Sequence, residues 1–199
     1  MNEPDAVSRT LRLVVGLGNP GARYASTRHN VGFRLVDQLA GNATWKDFEG
    51  LGHVCRDGEL WLAKPMTYMN DSGSFVGALS RWRKILPGQI LVCFDDVVLP
   101  LGRLRLRMKG SGGGQKGMQS TLQHLGTQDV PRLRIGVGPQ PQGLDSAVFV
   151  LSRFTPDEEK SLVAVLDDAA AAVRVAVESG VEAAMNRFNA PPRTEEAQG

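Results

Sequence analysis

The chain has no apolar run approaching the ~18 residues that a membrane-crossing helix needs and no basic-then-apolar leader at its N-terminus. Together these absences set the expectation of a soluble, cytoplasmic protein with no membrane partner. Cysteine is scarce. Cys55 and Cys93 lack C-x-x-C spacing, and Cys93 sits inside the apolar run Ile90-Leu-Val-Cys-Phe94. Both read as reduced thiols in or near the core, not as a disulfide. The three histidines, His29, His53 and His124, are far apart and outside any H-E-x-x-H pattern, which argues against a dedicated metal site. A G-x-S-x-G elbow is also missing, which argues against an α/β-hydrolase serine nucleophile.

What is present is enough apolar content for one core: 42% hydrophobic residues in a chain of 199 favour a single domain. The chain is organised around Leu11-Arg-Leu-Val-Val-Gly-Leu-Gly-Asn-Pro-Gly21, an apolar run that ends in a glycine-rich turn. The turn delivers Asn19, Tyr24, Arg28, His29 and Asn30 within a dozen residues. Its glycines also spell G-x-G-x-x-G, the dinucleotide fingerprint. That fingerprint requires a helix starting at its third glycine, with free N–H groups aimed at a pyrophosphate. Here Pro20 has no N–H and the next helical pattern begins near Thr27, so the context is wrong, although Asp37 stands at a tolerable distance for a ribose contact.

Residues 1–10 are expected to be a loose extension, 11–190 the folded domain and 191–199 a flexible polar tail. Within the domain the pattern predicts a strand over 11–16, a helix over 28–40 and a hairpin or two short strands in 44–64 turning at Asp57-Gly58. A helix from Ser74 to about Ile85 and a buried strand from Ile90 to Val97 follow, the strand closing on Asp95-Asp96. Arg103 to Met108 alternates strictly and predicts a strand with Arg103, Arg105 and Arg107 on one face. The glycine-rich loop 110–117 opens a helix over 118–125, a further strand covers 132–138, and Thr155-Pro-Asp-Glu158 starts a long helix reaching Ser179-Gly180. A short helix over 181–188 closes the domain.

Strands alternating with helices imply an α/β fold, a single-domain three-layer sandwich with a mostly parallel, mixed sheet flanked by helices. In such sheets ligands bind beyond the carboxyl ends of the strands. Asn19, Met69-Asn70 and Asp95-Asp96 each follow a predicted strand and are expected to converge there. With metal and serine chemistry disfavoured, what remains is a histidine acting on water, oriented by a carboxylate. His29 and Asp95 suit those roles if the fold joins them, and an Asn side chain suits a carbonyl oxygen that becomes negative.

The net charge of +2 conceals an asymmetry. Residues 155–199 hold nine acidic and four basic side chains, so residues 1–154 carry a net +7 against −5 for the rest. Such a distribution suggests a polyanionic partner for the first part. The Arg face at 103, 105 and 107, with Arg134, suits phosphates held without reading sequence.

Gly16-Leu-Gly-Asn-Pro-Gly21, Thr27-Arg-His-Asn30, Lys64-Pro-Met-Thr-Tyr-Met-Asn70-Asp-Ser-Gly73, Phe94-Asp-Asp-Val-Val-Leu-Pro100, the 110–117 loop and Arg132-Leu-Arg-Ile-Gly136 follow one another as they do in bacterial-type peptidyl-tRNA hydrolases. The resemblance runs from about Leu11 to Asn189. It implies a single α/β domain that cleaves the ester between a peptide and the 3′-terminal ribose of tRNA. It further implies tRNA as partner, no metal or organic cofactor and no obligate protein partner, and the chain is expected to act as a monomer. By position, the resemblance makes His29 the general base and Asp95 the residue holding it. Asn19 matches the position that distinguishes blocked from free aminoacyl ends. Tyr24, Tyr68 and Asn70 match contacts to the substrate's 3′ end, and Met69 matches an apolar wall beside the base. Arg107 and Arg134 match positions that grip the terminal phosphate of the acceptor stem.

The chain departs from the family pattern at two places. The family's loop commonly reads Gly-Gly-His-Asn-Gly where this chain has Gln115-Lys116, and a frequent acidic position downstream of Asp95 is Val98. Lys116, at a helix start that favours anions, reads as a phosphate-binding substitute for Asn, with Gln115 a surface residue of the loop. Two other functions stay open at this point: a non-catalytic RNA-binding protein on the same fold, as in the splicing-factor relatives of the family, and a nucleotide-binding protein using Gly16–Gly21. Retention of Asn19, His29, Asn70 and Asp95 together favours the enzyme.

Overall fold

Leu13, Val14 and Val15 are all fully buried although successive side chains of a strand point to opposite faces, because β1 (Leu13–Gly16) is covered by helices on both sides. The computed structural model describes residues 10–190, so the expected tail and all of the N-terminal extension except Thr10 lie outside the described residues. Strand β1 is flanked in parallel by β4 (Leu60–Pro65) and β5 (Ile90–Pro100), and β5 in turn by parallel β7 (Arg132–Gly138). Antiparallel strands finish both edges: β3 (Gly52–Asp57) and then β2 (Lys46–Phe48) beyond β4, and β6 (Leu104–Arg107) beyond β7. The order is β2-β3-β4-β1-β5-β7-β6.

Val14, Leu91, Leu133 and Ile135 face helices α1 (Val31–Ala40), α5 (Pro156–Ser179) and α6 (Val181–Phe188). Leu13, Val15, Ile90 and Val92 face α2 (Ser72–Arg83) and α3 (Lys116–Leu125). The result is the expected three-layer α/β domain around a mixed sheet. Among the described residues no helix is long and apolar enough to cross a membrane.

Several elements differ from expectation, each for a local reason. The 44–64 region holds three strands, because a turn with positive φ at Glu49 and Gly50 folds Lys46–Phe48 back onto Gly52–Val54. Residues 28–30 form a separate 3-10 turn ahead of α1. Strand β5 runs past Asp95-Asp96 to Pro100, while α2 and α3 each begin two residues early. Helix α4 (Ser146–Val150) was not foreseen: five residues are too few for a helical period, and its start is set by Asp145 accepting the N–H groups of Ala147 and Val148. The capping box that starts α5 is present, with Thr155 and Glu158 bonded to each other's backbone N–H.

The fingerprint glycines serve packing. A Cβ on Gly16 would lie 2.1 Å from the Gly32 oxygen, and one on Gly18 would lie 2.7 Å from the Phe33 ring. Helix α1 therefore rests directly on β1. Only a 3-10 turn, Ala22–Tyr24, follows Gly21, and Asp37 is bonded to Lys64 Nζ at 2.5 Å. The glycines and Asp37 are thus both used without a dinucleotide.

Candidate active site

Because β1, β4, β5 and β7 run parallel, the segments after them all emerge on one side of the sheet. There they enclose a cleft of about 510 Å³. Asn19 enters it from the segment after β1, Tyr68, Met69 and Asn70 from the segment after β4, and Asp95 and Asp96 from β5 itself. His29, Gln115, Lys116, Arg134 and Ser146 complete the polar part of its wall, so the three clusters expected to converge do meet.

At the centre, His29 Nδ1 lies 2.8 Å from Asp95 Oδ2, with the Asp95 side chain 2% exposed and that of His29 13%. A carboxylate only accepts, so with Asp95 ionised and the ring neutral the hydrogen bond is donated by Nδ1 and the lone pair is left on Nε2. A carboxylate at that depth needs partners to offset its lost hydration, and it has two: His29 and the Gln115 amide.

The backbone of His29 is anchored by its neighbour. Arg28, 5% exposed, donates to the Val137 carbonyl at 3.1 Å and to Glu158 Oε2 at 2.7 Å, with its guanidinium over the rings of Phe149 and Phe154. The hydrogen bond from Arg28, with lesser help from Thr155, holds the Glu158 carboxyl below the usual carboxylate range. Arg28 thereby ties the His29 turn to α4 and α5.

Asn19 is clamped by Asn30. The Asn19 N–H donates to Asn30 Oδ1 at 2.9 Å, and Asn30 Nδ2 donates back to the Asn19 carbonyl at 2.9 Å. Asn19 Oδ1 accepts the Met69 N–H at 2.8 Å, which assigns the amide: its oxygen is occupied and its NH2 turns into the cleft. Asn30 was part of the Thr27–Asn30 motif with no role assigned to it, and nothing local in the sequence shows the clamp.

One expectation is overturned. Gln115 is not a surface residue: it is 9% exposed, its Oε1 caps α3 by accepting the Met118 N–H at 2.7 Å, and its Nε2 reaches Asp95 Oδ1 at 3.1 Å. A glycine-rich loop reads as surface, but positive φ at Gly113 and Gly114 turns this one inward. Lys116 next to it is exposed on the cleft wall, as are Tyr68 and Asn70, while Met69 is buried against Gln115.

The arginine face also differs in part. Arg105 lies opposite Arg134 and Arg107 opposite Arg132, while Arg103 falls just before β6. Arg134 is already paired with Asp96 at 2.5 Å. Arg132, assigned no role from the sequence, is 2% exposed, and its guanidinium holds the carbonyls of Gly110, Ser111, Gln128 and Val130 from beneath the glycine loop. Burial, with the charge of Arg134, pushes it down to about 10. Arg107 and Tyr24 are half-buried outside the cleft wall, and Val98 is 75% exposed. Both cysteines are free and buried, and burial pushes Cys55 up to about 11 and Cys93 further still, so neither thiol is ionised near neutral pH. Among the described residues no group of three His, Cys, Asp or Glu side chains is placed to hold a metal ion.

Comparisons with known proteins bear on the family and the fold. A family model described as "Peptidyl-tRNA hydrolase" matches residues 13–197. A protein of that name from Elusimicrobium minutum is 47% identical over 185 residues, covering 90% of this chain and 99% of the relative. Another from Chloroflexus aggregans is 50% identical over 184 residues, covering 89% and 98%. The crystal structure of peptidyl-tRNA hydrolase from Acinetobacter baumannii superposes with a TM-score of 0.85 at 35% identity, covering 92% of this chain and 96% of that one.

Proposed function

Since the chain belongs to the peptidyl-tRNA hydrolase family and hydrolyses peptidyl-tRNA, we propose that His29 is its general base, acting on a water molecule in the cleft. The supporting observation is the 2.8 Å contact of His29 Nδ1 with buried Asp95, which frees Nε2 for the water. His29 Nε2 takes a proton as the water oxygen bonds to the ester carbonyl carbon. The tetrahedral intermediate then expels the ribose 3′-oxygen, which recovers that proton from His29. Asp95 holds the ring in the basic tautomer and offsets the charge of the imidazolium.

Asn19, with its NH2 toward the cleft, donates to a carbonyl of the blocked amino end, which a free aminoacyl end lacks. Tyr68 and Asn70 at the rim meet the 3′-terminal nucleotide, and Met69 is the apolar wall. Tyr24, outside the cleft wall, contacts the substrate's 3′ end beyond it, and Arg134 and Arg107 grip the terminal phosphate of the acceptor stem without reading sequence. The chain is proposed to act as a monomer with no obligate protein partner and no cofactor. The substrate arises where ribosomes work, which supports a cytoplasmic location and a role in returning tRNA to translation. The non-catalytic RNA-binding alternative has no support in relatives named as hydrolases.

Single-turnover hydrolysis of N-acetylated aminoacyl-tRNA tests direct attack by water. Free tRNA and free N-acetyl amino acid should appear at one rate, and a burst of tRNA ahead of the acid requires a covalent intermediate and sinks the scheme.

Lys116 is proposed to hold a substrate phosphate. It is exposed on the cleft wall at the first turn of α3, where a cation opposes the helix dipole and an anion is favoured. Lys116→Ala should raise KM at low salt and flatten the dependence of log KM on log salt by about one unit. An unchanged KM and slope would leave Lys116 a solvated bystander.

A further inference from the structure

We infer that Gln115 is a positioning residue of the hydrolytic site, fixing the Asp95 carboxylate so that Oδ2 aims at His29. The inference rests on reading Asp95 as the partner of His29. Asp95 ends a terminal torsion whose wells are broad, so its side chain does not by itself choose where its two oxygens point. In the fold they are divided: Oδ2 meets His29 Nδ1 at 2.8 Å and Oδ1 meets Gln115 Nε2 at 3.1 Å.

The donor cannot turn away, because the other end of the amide is committed. Gln115 Oε1 accepts the Met118 N–H at 2.7 Å, and its Nε2 also lies 3.1 Å from Met69 Sδ. Flipping the amide would set its NH2 against a backbone N–H and its oxygen against a carboxylate, two repulsive contacts in place of two bonds. The start of α3 thus acts as the fixture for the catalytic carboxylate.

Without this donor, Oδ1 would be a buried, desolvated acceptor with no partner, which favours protonation of Asp95 and weakens its hold on the ring. An amide does not titrate. The titratable and charged groups that line the cleft with Asp95 and Gln115 are His29 from the turn before α1, Tyr68 from the segment after β4, Asp96 from β5, Arg134 from β7 and Lys116 from α3.

The test measures kcat and KM on N-acetylated aminoacyl-tRNA across pH, with thermal melting as a control for folding. Gln115→Met, which removes both bonds, should lower kcat about tenfold with KM within about twofold. Gln115→Glu keeps an oxygen for the Met118 N–H and so keeps the helix cap, but it sets a second carboxylate against Asp95. Two buried carboxyl groups this close share a proton, which takes part of the Asp95 charge away from the ring, and once that proton is lost the added negative charge favours the imidazolium, which is not a base. In either state kcat should fall at neutral pH, with an altered pH profile.

In an Asp95→Asn background, Gln115→Met should cost nothing further in kcat. A Gln115→Glu protein with wild-type kcat and pH profile, or losses confined to KM or to melting temperature, would make Gln115 a helix cap or substrate contact only and overturn the inference. If Asp95→Asn slows the reaction while the Gln115 variants do not, this inference alone fails. If Asp95→Asn is itself without effect, the reading of Asp95 falls and the inference falls with it.

Discussion

His29→Ala should reduce kcat by ~10²–10⁴ while leaving affinity for tRNA nearly unchanged. The ring touches Asp95 on one side and the cleft on the other, so truncation removes the proton acceptor. Lys116, Arg134 and Arg107, the proposed phosphate contacts, stay in place. The fold should survive, because Arg28 anchors this turn through Val137, Glu158 and two aromatic rings. The measurements are tRNA binding by titration and single-turnover release of N-acetyl amino acid. Turnover near the wild-type rate would mean that water is activated by some other group.

Asp95→Asn should slow the chemical step by a comparable order, ~10²–10⁴, with little change in KM. The structure gives a specific reason. Gln115 Nε2 donates toward this position, so the substituted amide turns its oxygen to Gln115 and its NH2 to His29. An NH2 beside Nδ1 forces the ring's proton onto Nε2, which removes the lone pair that the water needs. The new side chain is also neutral and no longer offsets the imidazolium. A loss seen mainly in KM, with kcat preserved, would mean that Asp95 shapes substrate binding and not the base.

Much of this site is legible in the residues themselves, but unevenly. Asn19, His29, Asn70 and Asp95 are polar residues beside apolar runs, and an α/β sheet gathers strand ends on one side. Gln115 shows the limit. Its neighbours are glycines, which read as surface loop, yet two left-handed glycines turn it inward to cap α3 and reach Asp95. Arg132 likewise sits in an alternating pattern that marks it as one more strand residue, and only the glycine loop folded above it explains its burial. The short strand β2 and helix α4 carry no periodicity, since three and five residues are too few to establish a period.

The amino-acid sequence by itself determined what short-range physics controls: the apolar strand Ile90–Phe94, the capping box at Thr155–Glu158, the alternation from Leu104 to Arg107 and the inventory of groups able to do chemistry. Only the tertiary structure decided which of those groups touch. His29 and Asp95 are 66 residues apart and Gln115 and Asp95 are 20 apart. Such contacts follow from strand order and register, the β1–β5 pairing that aligns Gly16 with Cys93 and the β5–β7 pairing that aligns Asp95 with Ile135. Register is chosen by burial summed over the whole sheet, and no single stretch of chain carries that sum.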